Sequence, residues 1–195
     1  MLSVFYAVLP DGKIEKTGNI IRDEEINLAT SEKVKKQKFF TWKLLQSALK
    51  ELGFNADEIE FFKSENGKWS SNKFHFSMSH SHNLIAVAIS DCPVGIDVEM
   101  IKPIDERLAL KILNYEELSK FSTLCEKEKS KYLILKWTEK ESIFKSLNQS
   151  VCRYKALSKN DKTLTSQSVA TCNSNYFLTV CHNEKYIPKF VFVSL

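Results

Sequence analysis

The hydrophobic pattern predicts an α+β fold built from two similar halves, residues 1–96 and 97–195. Three observations predict it. Short strand-like apolar runs are interspersed with longer stretches at three-to-four spacing, and the order strand, helix, several strands occurs twice. The length of 195 residues suits one large domain or two small ones. A composition of 43% hydrophobic and 27% charged residues, with only 5 Gly and 4 Pro, is that of a compact chain without a linker.

Taken in order, residues 2–9 (LSVFYAVL) read as a first strand closed by a Pro10-Asp11-Gly12 turn, with 13–21 as its partner. From Ser31 to Leu52 the apolar positions Phe39, Leu44, Leu45, Ala48, Leu49 and Leu52 predict a helix stopped at Gly53. Residues 59–62 and 74–78 read as strands around a polar loop containing Gly67, and 84–89 and 94–98 as two more separated by a Ser-Asp-Cys-Pro break. Helical patterns follow over 104–113, 114–125 and 128–147, the second opened by a capping pair, Asn114 and Glu117. Strands are expected near 151–157, 166–171, 175–181 and 187–193.

The five cysteines are odd in number, widely spaced and free of any C-x-x-C pair, which argues against a disulfide framework or zinc knuckle and for a reducing, cytoplasmic setting. No apolar segment approaches the length that spans a bilayer, so no membrane partner is expected. The net charge of +4 is unevenly spread: residues 31–50 hold six lysines (33, 35, 36, 38, 43 and 50) against the single acid Glu32. That stretch is a candidate anion site, or simply a solvated helix face.

Two acidic placements are costly enough to need a reason. In CPVGIDVEM the apolar run Val94-Gly95-Ile96 leads into Asp97 and Glu99, which alternation places on one face of a strand. In KYLILKWTEKESIFKSL, Ile134, Trp137, Glu141 and Phe144 share one helix stripe, with Lys145 a turn beyond Glu141. A wet Glu-to-Lys pair at i, i+4 is the ordinary explanation of the second. Burying carboxylates without partners is strongly unfavourable, however, and one divalent cation resolves both placements. The hard oxygens of Asp97, Glu99 and Glu141 suit magnesium, or manganese, rather than zinc. Magnesium completes its shell with water and phosphate oxygens, so phosphate chemistry is expected beside Lys145. His80 and His82 lack a third soft ligand nearby, which disfavours zinc there.

With these residues assembled, the chain resembles the 4′-phosphopantetheinyl transferases of the two-halved, surfactin-synthetase-activating type. VGIDVE (94–99) is similar to that family's apolar-Gly-apolar-Asp-x-Glu strand, and WTEKESIFK (137–145) to its Trp-x-x-Lys-Glu-Ser block, Trp137 following Asp97 by 40 residues. FHFSMSHS (74–81) and LNYEEL (113–118) resemble two further blocks. The resemblance implies an active site in the cleft between halves, and transfer of phosphopantetheine from coenzyme A to a serine of an apo acyl or peptidyl carrier protein, releasing 3′,5′-ADP. By position it implies that Asp97, Glu99 and Glu141 hold magnesium and that Lys145 contacts the attacked phosphate. Glu141 would take the serine proton, with Glu99 as competitor. It further implies that Lys33, Lys36, Lys68, Ser79 and His80 bind coenzyme A, and that the protein is a monomer.

Departures fall around the coenzyme A contacts. Trp69 stands where the family has Pro, Trp42 where an Arg usually precedes the Leu-Leu pair, and the segment after the lysine cluster is short; Lys43 or Lys38 would compensate. Two other readings stay open. One is a relative that binds coenzyme A without turnover. The other is a non-enzymatic binder of anions or acidic partners, which leaves the three carboxylates without a use. A nucleic-acid partner is not expected, for the same reason.

Overall fold

A computed structural model of the chain describes residues 1–65, 67–147, 154–157, 164–171, 175–183 and 185–195. It is a mixed α+β structure. The first part runs β1 (Leu2–Val8), α1 (Ile20–Asn27), α2 (Glu32–Glu51), β2 (Phe61–Lys63), β3 (Trp69–Ser71), β4 (His75–Ser81) and β5 (Leu84–Ser90). The second runs β6 (Gly95–Met100), α3 (Ala109–Ile112), α4 (Tyr115–Ser122), α5 (Glu126–Leu147), β7 (Leu164–Thr171), β8 (Tyr176–Asn183) and β9 (Lys189–Phe192). Among the described residues no helix is long and apolar enough to cross a membrane.

β1 and β5 form the centre of a sheet ordered β4-β5-β1-β9, in which β1 pairs antiparallel with β5 and parallel with β9. A second sheet is ordered β6-β8-β7 and is antiparallel throughout. Both faces of β1 and β5 are covered, which is why LSVFYAV and LIAVAIS are almost continuously apolar. Phe5, Ile85, Val87 and Ile89 pack under α2 with Leu44, Leu45 and Trp42. On the other face Val4, Leu84 and Ala86 meet Ile96, Val98, Leu178 and Val180 of the second sheet, so the two sheets share one apolar cluster.

α2 begins at Ser31, whose side chain accepts the Val34 N–H, and ends before Gly53, which adopts φ 79°. α4 carries the expected capping box between Asn114 and Glu117. Three expectations change. Residues 13–21 are not a strand: Asn19 accepts the Arg22 N–H and starts α1, while Thr17 bonds to Asp23. The capping side chain of Asn19, followed by Asp23 in the first turn, favours a helix there. The 104–113 pattern shortens to a 3₁₀ turn at Glu106–Leu108 followed by the four-residue α3. Of the strand expected over 151–157, residues 151–153 lie outside those described, and Tyr154–Ala156 is a 3₁₀ turn.

Candidate active site

β6 delivers Asp97 and Glu99 to the face turned toward α5, while Ile96 and Val98 fill the apolar cluster opposite. The approach of α5 is set by Gly95: a Cβ there would lie 1.9 Å from the Ser142 carbonyl oxygen. α5 buries Ile134 and Ile143 together with the small hydroxyl residues Thr138, Ser142 and Ser146, which lets it lie close to the sheet. Its Trp137, Glu141, Phe144 and Lys145 are half-buried along the margin. Of the stripe read from the sequence, Ile134 is buried, while Trp137, Glu141 and Phe144 lie at this margin.

Lys145 reaches Asp97 directly. Its Nζ donates to Asp97 Oδ1 at 2.7 Å, to the Ile96 carbonyl at 3.1 Å and to Ser79 Oγ at 3.3 Å. Asp97 is 4% exposed, and its Oδ2 has no hydrogen-bond partner among the described residues. The Glu141 Oε1 accepts a short hydrogen bond from the Tyr154 hydroxyl. Glu99 Oε2 accepts from Ser81 Oγ at 2.7 Å. Burial pushes the Glu99 carboxyl above its ordinary range and the Asp97 charge adds to this, against hydrogen bonds from Ser81 and Trp137. The Glu141 carboxyl is likewise raised, by burial first and by Asp97, against the Tyr154 bond and the Lys145 charge. Asp97 thus stands electrostatically between the other two.

Beside this group lies a cavity of about 300 Å³ lined by Arg22, Glu25, Lys38, Thr41, Trp69, Met78, Ser79, His80, Asp97 and Lys145. Trp69, Met78 and Lys145 also line a neighbouring cavity with Lys68, whose Nζ donates to the Lys145 carbonyl. The larger cavity carries three cations, Arg22, Lys38 and Lys145, against two carboxylates. Its one countercharge besides Asp97 is Glu25, which accepts from Arg22 Nη1 at 2.7 Å, Trp69 Nε1 at 3.0 Å and Lys38 Nζ at 3.1 Å. Burial pushes the Glu25 carboxyl up, but Arg22, Trp69 and Lys38 together outweigh it and set it at about 2. Burial, with the charges of Lys145, Arg22 and Lys38, holds His80 down at about 4, so its imidazole is neutral near pH 7.

The structure thus gathers Asp97, Lys145, Ser79, His80 and Lys68 around adjoining cavities. Lys33 is exposed and Lys36 half-buried on α2; neither lines the cationic cavity or makes an ion pair with a described residue. Lys38, by contrast, lines it. Arg22 and Glu25 were not visible as site residues because they sit on α1, a helix not expected from the sequence, beyond the strand expected over 13–21. Arg22 lies over the Trp42 ring at 5.5 Å and donates to the Lys38 carbonyl, so a guanidinium reaches the cavity from α1 instead of from position 42. Lys140 is structural here: 2% exposed, it donates to Glu117 Oε2 at 2.6 Å and the Ile112 carbonyl at 2.9 Å, locking α4 and α3 to α5.

The donor chemistry fits a hard divalent cation. Asp97 and Glu99 on β6 and Glu141 on α5 face one region, one Asp97 oxygen is buried without a hydrogen-bond partner among the described residues, and burial together with the Asp97 charge raises the proton affinity of Glu99 and Glu141. Their grouping is looser than the sequence led us to expect. Among the described residues no three Asp, Glu, His or Cys side chains are close enough together to hold a metal ion as they stand. Lys145 and Tyr154 occupy two of the carboxylates instead.

Known proteins resemble this chain over about half of its length. The chain is 32% identical over 98 residues to the 4′-phosphopantetheinyl transferase psf-1 of Bacillus pumilus, covering 49% of this chain and 42% of that protein. It is 34% identical over 71 residues to the 4′-phosphopantetheinyl transferase Sfp of Bacillus subtilis (strain 168), 36% of this chain and 32% of that one. The matches thus span less than half the length of these Bacillus relatives. A holo-[acyl-carrier-protein] synthase of Mycoplasma mycoides subsp. mycoides SC is 30% identical over 98 residues, which cover 86% of its length and 48% of this chain. The family model described as the 4′-phosphopantetheinyl transferase superfamily matches residues 93–191, a stretch holding β6, α5 and the carboxylates Asp97, Glu99 and Glu141, and on that match the chain belongs to this superfamily.

Proposed function

We propose that this protein transfers the 4′-phosphopantetheine group of coenzyme A to a serine hydroxyl of an apo acyl or peptidyl carrier protein, in a cleft between two halves, residues 1–96 and 97–195. The observation that carries the reading is the meeting of VGIDVE and WTEKESIFK at the Asp97–Lys145 pair, on the wall of a cationic cavity. A polyanion such as coenzyme A needs several cations, and Arg22, Lys38, Lys68 and Lys145 supply them. Supporting the two halves, β1-α2-β4-β5 and β6-α5-β7-β8 each place their last strand between the first two in space. The Mycoplasma synthase, matched over most of its length by half of this chain, agrees. One chain then supplies both sides of the cleft, which supports a monomer.

In the proposed reaction the serine oxygen attacks the phosphorus that carries the pantetheine arm. A new P–O bond forms, the bond to the bridging pyrophosphate oxygen breaks, and 3′,5′-ADP leaves with the electron pair. Glu141 takes the serine proton; its raised affinity for protons suits a base, and Glu99 is the alternative. Lys145 turns from Asp97 toward the attacked phosphate and offsets charge gathering on its oxygens. Asp97, Glu99 and Glu141 would hold magnesium, or manganese, which supplies polarisation of the pyrophosphate. Lys68 and His80 contact the rest of the nucleotide, with neutral His80 donating or accepting a hydrogen bond rather than adding charge. Lys33 and Lys36, outside the cavity, serve an extended substrate or the acidic carrier surface.

The test is incubation with coenzyme A, magnesium and apo carriers of fatty-acid, polyketide and nonribosomal-peptide type. Intact-mass measurement is expected to show one phosphopantetheinyl addition on at least one carrier, with equimolar 3′,5′-ADP. Tight coenzyme A binding without addition to any carrier would leave a non-catalytic relative. Absence of both would overturn the reading.

A further inference from the structure

β4 carries serines at 77, 79 and 81, every second residue, and β6 runs alongside them. The three hydroxyl oxygens accept the backbone N–H groups of Ile96 (3.1 Å), Val98 (3.2 Å) and Met100 (3.2 Å). Two strands from different sheets are therefore joined by side chains where a backbone ladder would ordinarily run. Alternate N–H groups of a strand point to the same edge, so serines at the same period meet them in turn.

A hydroxyl has one proton to donate. The oxygen of Ser81 accepts Met100 N–H, and its proton goes to Glu99 Oε2 at 2.7 Å. Ser79 repeats this with Val98 N–H and Asp97 Oδ1, at 2.9 Å, but also contacts Lys145. Ser77 takes Ile96 N–H and touches no carboxylate among the described residues. The row thus contains its own control.

We propose that Ser81 is a positioning residue: tied to the β6 backbone and to one oxygen of Glu99, it presents that carboxylate in a fixed orientation for a divalent cation. This rests on the proposed function above. Ser81 is 8% exposed, so its bond to Glu99 is shielded from competing water. Outer partners of this kind typically govern metal affinity by about 10- to 100-fold.

The experiment measures Mn²⁺ affinity by the loss of its free-ion electron paramagnetic resonance signal, with coenzyme A present, alongside melting temperature. S81A is expected to weaken Mn²⁺ binding about tenfold, and S81T, which keeps the hydroxyl, to restore it. S77A is expected to melt lower with Mn²⁺ affinity unchanged. Should S81A not fold, S81C, of similar size but a weak donor, replaces it under the same criteria. Wild-type Mn²⁺ affinity in S81A, or equal weakening in S77A, overturns the positioning role while leaving carrier modification intact. A wild-type protein that neither binds Mn²⁺ nor modifies a carrier overturns the underlying reading as well.

Discussion

Lys145 does two jobs that compete. In this structure its ammonium satisfies Asp97, Ser79 and the Ile96 carbonyl, and so neutralises a carboxylate only 4% exposed. Lys145→Met leaves that charge buried with little to balance it, and is expected to lower unfolding free energy by about 3 kcal/mol in urea titrations. Adding Asp97→Asn to the same chain is expected to recover much of the loss, since the charge is then gone; a double variant no more stable than the single would contradict the pairing. His80 contributes a pH dependence of definite sign. Its ordinary value of 6.5 falls to about 4 in the fold, so between those values the unfolded chain binds more protons. The stability it contributes is complete above pH 6.5 and is lost as pH falls toward 4. Between pH 7 and 5 the wild type is expected to lose more melting temperature than His80→Gln, and equal losses would refute the burial of a neutral imidazole.

At the scale of elements, the site depends on how closely α5 lies on β6. Gly95 permits that approach, for a methyl at 95 would meet Ser142 O at 1.9 Å and Ser146 N at 2.6 Å, both backbone atoms that cannot turn aside. Gly95→Ala is expected to destabilise by about 3 kcal/mol, read by chemical denaturation, and near-wild-type stability would show that α5 can shift freely. This contact also explains what could be read in the sequence. α2, α4 and α5 were legible because periodicity and capping residues are local signals, and Asp97 and Glu99 because strand alternation fixes their face. α1 was not legible: Ile20 and Ile21 lie on its exposed side, so its hydrophobic pattern points away from the core. With α1 went Arg22 and Glu25, whose place in the cavity depends on packing against Trp42 and Trp69 from distant segments. Tyr154 was likewise invisible as the partner of Glu141, because it meets that residue only through the return of the chain after α5. The serine row of β4 was on the page at period two, yet its meaning required knowing that β6 runs beside it.

At the scale of the molecule, residues 1–96 and 97–195 are not independent bodies. The cluster of Val4, Leu84 and Ala86 with Ile96, Val98, Leu178 and Val180 belongs to both sheets, and β9 returns from the end of the chain to pair with β1. Separating residues 1–96 from 97–195 would expose this apolar surface on each side, so the two pieces expressed apart are expected to aggregate or remain unfolded by circular dichroism, and to gain structure on mixing. The cavity has the same dependence. Arg22, Lys38 and His80 come from residues 1–96, Asp97 and Lys145 from 97–195, and neither segment alone supplies all of its lining. The central claim is that Glu141 joins Asp97 and Glu99 in the chemistry rather than merely in the packing. It is tested most directly by single-turnover transfer from coenzyme A to a carrier that the wild type modifies, comparing Glu141→Gln at saturating coenzyme A. We expect the variant to fold and to bind coenzyme A, yet to add no phosphopantetheine at a rate within about a hundredfold of the wild type; transfer at the wild-type rate would contradict the account.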